Sequence, residues 1–412
     1  MDTTESARLI LPPGAEWKSG FDADRATDAY IATIPAADRQ KSDAYFEGGY
    51  WIDLWGTLLT VAIAWLLLSG RISARLRDYA ERHFRRVNLQ VLAYVLAYLL
   101  LIGLLALPWE IYTDFFREHA YGMSNQSLGG FLRDWAVGLA VNLALGCLAL
   151  TGLYAILRRV GHRWVAWATA AAAGFIFLVL LIAPVFIAPL FNDYQPLPPG
   201  ETRDAILKLA HDNRIPADDV YWFDASRQTQ RISANVSGAF GTMRIALNDN
   251  LLEKTSLPEI RAVMAHEMAH YVLHHSIWLP LGMTLVVGLG FWVVDRSFDG
   301  FLRRRGQQWG LRGLADPAGL PLVIAIMSVT LFLLTPAINN MIRLAENQAD
   351  AWGLDAAREP RGFASAAMRI SNYRKLEPSA LEEFIFFDHP SGRTRVARSM
   401  RWLAEHPPEQ SQ

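Results

Sequence analysis

Six stretches of this chain, residues 54–70, 87–109, 135–157, 164–192, 276–294 and 317–342, contain no Asp, Glu, Lys or Arg. A helix needs roughly 20 apolar residues to cross a bilayer, within a range of about 17–25, so every stretch is long enough. The first is the shortest, and Asp53 fixes its edge. Composition agrees: 19% of the 412 residues are charged and 52% hydrophobic, whereas a soluble domain carries about 25% charged residues. The pattern is that of a polytopic membrane protein. It excludes a cytosolic enzyme, a secreted disulfide scaffold and a coiled coil.

Cys147 stands alone in the middle of the third stretch, so neither a disulfide framework nor a cysteine-based metal site is expected. With a net charge of −1 and a pI near 6.8, nothing points to nucleic acid. Trp51, Trp109, Trp135, Trp164 and Trp278 fall at or near span ends, where an amphipathic ring prefers the headgroup region. Residues 1–49 read as a polar tail rather than a cleavable signal. Residues 50–192 then hold spans one to four, with Pro184 and Pro189 as kink points in the fourth.

After the break Pro196-Leu-Pro-Pro-Gly200, residues 193–275 have the composition of a soluble domain. Val220–Phe223 and Arg244–Leu247 read as short strands, with Gly238 and Gly241 marking a turn before the second. A helix is expected from about Pro258 through His275, running without interruption into span five. Residues 276–342 form a transmembrane hairpin, spans five and six, and 343–412 a helical C-terminal part.

His266-Glu267-Met268-Ala269-His270 is the most informative segment. Histidines four apart share one helix face and can bind one zinc ion, while the glutamate after the first can reach a zinc-bound water. A catalytic zinc wants three protein ligands and an open position, and His₂Glu is one standard set. The chain crosses the membrane twice after His270 and returns to the same side at Glu346-Asn-Gln-Ala-Asp350, four residues past span six. Glu346 is the expected third ligand. Asp350, one turn on, can hydrogen-bond a ligand histidine. With Glu346 completing the set, His274 and His275 read as interface residues rather than ligands.

These motifs resemble the integral-membrane zinc endopeptidases of the type I CAAX prenyl protease kind, within the gluzincin metalloproteases. The resemblance spans about residues 45 to 403 and includes Leu107–Tyr112, Ile187–Phe191, the histidine helix, Glu346–Asp350 and His389-Pro-Ser. It implies a mostly α fold, a bundle of about six spans around a cavity with a small α+β zinc-protease domain. It implies one zinc ion on His266, His270 and Glu346, with Glu267 as general base. His389 and Arg395 match residues that stabilise the oxyanion, although Arg393 or Arg398 could equally be the second donor. Asn235 matches an asparagine beside the strand along which substrate backbone pairs; read by itself, it lies only at a strand edge near a turn. The eukaryotic members begin with an additional transmembrane helix, for which residues 1–49 are too polar.

The zinc helix is expected to enter span five six residues after His270, about 9 Å at helical rise, which puts the metal near the membrane boundary. The expected partners are therefore membrane lipid and a peptide or protein substrate tethered by a lipid or by its own transmembrane helix, and no nucleic acid. CAAX-type processing competes with broad quality-control proteolysis. A transporter or an inactive relative is the reading of another class. Loops 71–86, 158–163 and 296–312 carry fourteen arginines, against two in 110–134. The positive-inside rule then puts the zinc outside the cytoplasm, whereas the eukaryotic relatives face it to the cytosol. A bacterial inner membrane is the expected location.

Overall fold

The computed structural model describes residues 8–237 and 244–408; the expected turn at Gly238 and Gly241 lies outside them. The chain begins with α1 (Ala23–Ile31), capped by the Asp22 carboxylate, and α2 (Ala36–Ser69). No proline interrupts residues 36–69, so the helix that crosses the membrane starts well before the apolar residues do. The boundary drawn at residue 49 falls inside α2. Residues before it are not a free tail: Tyr30 and Ile31 bury themselves against Ala364, Met368, Val396 and Met400 near the C-terminus.

The membrane part continues with α3 (Ile72–His83), α4 (Val87–Glu110), the short α5 (Arg117–Tyr121), α6 (Leu128–Val160) and α7 (Trp164–Ile182). Pro108 precedes a π-helical turn at Ile111–Phe116, and Pro184 sits in another at Ala183–Ile187. Proline lacks the amide donor that a regular α-turn needs there. Gly161, at φ +56, separates α6 from α7. Among the described residues, four helical stretches are long and apolar enough to cross a membrane: Ala36–Ser69, Val87–Tyr121, Leu128–Leu190 and His275–Trp309. The third contains two of the six charge-free windows. A fifth unit is a pair of helices that qualify only together, Pro317–Leu333 and Thr335–Ala357, bent by 56°. Span six is thus broken at Leu334 rather than straight.

Between the helices lies a half-open cleft of about 680 Å³ walled by apolar side chains such as Ile102, Leu143 and Phe175, with Glu110 and Asn142 among its few polar groups. Two of the tryptophans assigned to the headgroup region do other work. The Trp135 indole N–H donates to Glu110 at 2.6 Å, and the buried Trp164 donates to Asp295 at 2.7 Å. An acid in reach satisfies the indole better than an interface. The arginine-rich loops gather at one end: Arg77 pairs with the buried Asp316 at 2.5 Å, Arg312 with Glu81 at 2.6 Å, and Arg158 donates to Asn88.

After the fourth charge-free window come β1 (Tyr194–Pro196), α8 (Glu201–Asp212), β2 (Val220–Phe223), β3 (Ala234–Ser237) and β4 (Arg244–Asn248). The sheet order is β1-β2-β4-β3, with β2 and β4 parallel and the outer pairs antiparallel. Its inner face packs Ile245 and Leu247 against Met264 and Met268 of α10 (Leu257–Val272), which follows α9 (Asp249–Lys254). The sheet is tied to the membrane helices by polar contacts. Gln230 N–H donates to the Met123 carbonyl, Gln228 to Asp134, and Arg231 pairs with Glu118 at 2.7 Å.

The chain closes with α11 (His275–Trp309), α12 (Leu320–Leu333), α13 (Thr335–Ala357), α14 (Pro360–Ile370), α15 (Ala380–Phe386) and α16 (Gly392–Glu405). The most extensive helix–helix contact in the molecule joins α10 to α13. Gly353 makes it possible: a Cβ there would sit 3.1 Å from the His266 backbone nitrogen and 3.2 Å from its Cα. Neither atom can yield without parting the helices. We predict that Gly353→Ala destabilises the protein by about 1–3 kcal/mol, read as a lower melting temperature in detergent. Gly300→Ala, whose Cβ meets nothing within 4 Å, is the control and leaves the melting temperature unchanged or raised.

Candidate active site

The helix carrying the histidines is started firmly. Ser256 and Glu259 form a capping box, with Pro258 in the first turn. Glu259 is wholly buried and also accepts from Ser365 Oγ at 2.6 Å and Arg369 Nε at 2.5 Å. The far end departs from expectation. α10 stops at Val272, and His274 takes a left-handed conformation at φ +56 before α11 begins. The uninterrupted helix into span five is therefore a kinked pair, and the kink turns His275 back toward His270.

On α10, His266 and His270 present their Nε2 atoms to one another at 3.3 Å. From α13, Glu346 brings Oε2 to 3.1 Å from His266 Nε2 and Oε1 to 3.5 Å from His270 Nε2. One ligand atom from each of the three residues lies within 4.8 Å of the others. Glu346 Oε2 is buried and receives no hydrogen bond among the described residues. Two facing imidazole nitrogens and an undonated carboxylate oxygen are the donor set of a divalent cation, so the residues fit a metal.

Each imidazole is held from behind. Asp350, fully buried, places Oδ1 2.9 Å from Nδ1 of His266. Burial works against a charged His266, but the Asp350 and Glu346 carboxylates outweigh it and raise its pKa to about 9. His270 Nδ1 lies 2.8 Å from His275 Nδ1, and His275 Nε2 lies 3.0 Å from Gln348 Oε1. The amide oxygen of Gln348 only accepts, so a proton on His275 Nε2 leaves its Nδ1 to accept from His270 Nδ1–H. That tautomer turns the lone pair of His270 Nε2 toward Glu346. Burial lowers His270 to about 4, keeping it neutral. His275 and Gln348 were not legible as functional groups, because the kink at His274 has no signature among Leu273-His-His.

Glu267 lines a cavity of about 160 Å³ beside the histidines, together with His266, Phe363, Tyr373, His389 and Arg395. Burial pushes its carboxyl up to about 7. His389 brings Nε2 to 3.2 Å from Glu346 Oε2, and its Nδ1 is held by Asp388 at 2.8 Å. Arg395 donates from Nε and Nη2 to the two oxygens of Asp350 at 3.1 and 2.6 Å. Arg398 also reaches Asp350, at 3.2 Å, and Arg393 is tied to Asp28 and Glu377. Of these three arginines Arg395 is the one lining the cavity. Asn235 sits on β3, paired with Ala246 of β4, and accepts from Ser237 Oγ at 3.3 Å. β3 is the outer strand of the sheet, and its residues Ala234 and the preceding Ser233 line the cavity.

Residues 23–193 match the CAAX prenyl protease N-terminal domain of five membrane helices, and residues 196–408 match peptidase family M48. The uncharacterized metalloprotease YhfN of Bacillus subtilis is 30% identical over 347 residues, covering 84% of this chain and 80% of that protein. A CAAX prenyl protease 1 homolog of Oryza sativa is 27% identical, over 66% of this chain and 64% of its own length. The crystal structure of S. mikatae Ste24p superposes with a TM-score of 0.72 at 21% identity over 89% of both chains, a likeness of fold. The chain belongs to peptidase family M48 and is an integral-membrane metalloprotease.

Proposed function

We propose that this protein is a zinc endopeptidase that cleaves membrane-tethered peptides or proteins, with CAAX-type prenylated chains as its substrate class and a bacterial inner membrane as its location. The observation that carries the reading is the meeting of His266, His270 and Glu346 beside a cavity that holds Glu267 and opens on an outer β-strand. Similarity to proteins named CAAX prenyl proteases supports the substrate class.

His266 Nε2, His270 Nε2 and the Glu346 carboxylate would hold one zinc ion, with Asp350 and His275 fixing the two rings. Bound there, zinc supplies Lewis acidity toward water and the scissile carbonyl. Glu267 takes the proton of the attacking water and delivers it to the leaving amine, a role served by a carboxyl whose pKa lies near neutrality. His389 Nε2 and the uncommitted Nη1 of Arg395 donate to the carbonyl oxygen as it becomes negative. One such donor is typically worth about 10² to 10³ in rate. Asn235 on β3 would pair with substrate backbone laid along the strand. The kink at His274 lies four residues past His270, where the apolar helix α11 begins, and this closeness supports substrates anchored in the bilayer.

Metal-loaded protein in lipid, assayed on a farnesylated CAAX peptide and on the same peptide without the lipid, tests the assignment. The farnesylated peptide is expected to be cleaved faster; equal rates would favour broad quality-control proteolysis instead. Glu267→Gln is expected to lower turnover by about 10² to 10⁴ while metal content, measured by elemental analysis, stays at the wild-type level. Wild-type rates in that variant would end the assignment.

A further inference from the structure

Almost every guanidinium around the catalytic cavity is matched to an acid. Arg395 and Arg398 share Asp350, Arg393 holds Glu377, Arg369 holds Glu259, and Arg231 holds Glu118. Arg374 is the exception. Its side chain lines the same cavity as Glu267, His389 and Arg395. Among the described residues it makes no ion pair with a carboxylate and its guanidinium donates no hydrogen bond. Of the nearest acids, Asp350 is taken by two arginines and Asp388 by His389, while Glu346 faces three imidazoles and Glu267 lines the cavity; among the described residues none of them pairs with Arg374.

The position of Arg374 is fixed by its backbone. The loop between α14 and α15 is pinned by Ser42 of α2, whose buried hydroxyl reaches the carbonyls of Ser371 at 2.6 Å and Arg374 at 3.0 Å. Much of the remaining cavity wall is apolar, contributed by Ile232, Val263, Phe363, Ala366 and Ile370. Burial and the neighbouring Arg395 charge lower the pKa of Arg374, and the Asp388 and Glu346 carboxylates offset part of that without pairing with it. The guanidinium of this half-buried arginine keeps its proton in proteins, so it faces the cavity as a cation without a paired carboxylate among the described residues. A planar fork of donors with no acceptor, set in a wall that is half apolar, is suited to bind a carboxylate in bidentate fashion.

We propose that Arg374 is the anion-reading residue of the catalytic cavity, pairing with a carboxylate of the bound peptide. This rests on the peptidase reading above and adds to it a rule of substrate choice. The carboxylate comes either from the C-terminus of a chain cut close to its end or from an acidic side chain beside the scissile bond. In both cases the charge orients the peptide and Arg374 takes no part in bond cleavage.

Three short peptides separate the sources: one ending in a free carboxylate, the same peptide amidated, and the amidated peptide with a glutamate beside the scissile bond. Dissociation constants are measured by calorimetry on the Glu267→Gln protein, with and without Arg374→Gln, and kcat/KM on the protein with Glu267 intact. With Arg374 present, at least one carboxylate-bearing peptide should bind about 10–100-fold tighter than the amide, as expected for a charge-assisted pair. The kcat/KM ratio should follow. Arg374→Gln should bring both ratios close to one, and Arg374→Lys should restore part of each, which a merely misfolded variant would not do. Preference for the free-acid peptide alone assigns the C-terminus; preference for the glutamate peptide alone assigns the side chain. Either ratio preserved in Arg374→Gln, or no preference with Arg374 present, overturns the inference. A binding preference that depends on Arg374 without any cleavage would uphold it while removing the peptidase reading.

Discussion

The candidate site depends on one close contact between two helices far apart in sequence. α10 supplies His266, Glu267 and His270, and α13 supplies Glu346 and Asp350. They meet because Gly353 lets the α13 backbone rest against that of His266. From that contact Asp350 lies one turn back and Glu346 two, so a single crossing sets both carboxylates opposite both imidazoles. Asp350 ties α13 both to His266 of α10, at 2.9 Å, and to the arginines of α16. Asp350 is fully buried and receives Arg395 and Arg398. Removing one partner of such a buried pair typically costs about 3–5 kcal/mol. The carboxylate behind the His266 ring is therefore also a group that holds the helices together.

The surrounding architecture serves this crossing. The bend at Leu334 turns α13 out of the direction of α12, so Glu346 stands on a helix that starts inside the last apolar window and points back over α10. The sheet is bonded to the membrane helices through the 123–134 and 228–231 segments, which sets β3 and the cavity at the level of the span ends. The first and last parts of the chain pack on each other behind the site, with Tyr30 and Ile31 against α14 and α16.

Much of this was legible in the residues. Charge-free windows locate apolar spans because an unpaired charge in hydrocarbon is costly, and the i, i+4 spacing of His266 and His270 places two rings on one face whatever follows. Glu346 and Asp350 came from counting crossings. What stayed hidden came from three-dimensional context. The kink at His274 rests on a left-handed residue that no glycine announces, so His275 could not be seen turning toward His270. The broken sixth span has Thr335 and Pro336 at its bend, a pair that also opens ordinary helices. Trp135 and Trp164 look like interface residues by position, and only the fold reveals an acid within reach of each. Arg374 carried no signal at all, since its distinction is the lack of a partner that its neighbours have.

In the proposed metal centre, a carboxylate delivered by α13 completes the ligand set that α10 begins. X-ray absorption at the zinc K-edge of the metal-loaded protein measures this directly. Two imidazole nitrogens with carboxylate oxygen are expected in the first coordination sphere, with loss of that oxygen contribution and of most of the bound zinc in Glu346→Ala. A spectrum of three imidazole nitrogens without a carboxylate, unchanged by that substitution, would contradict it.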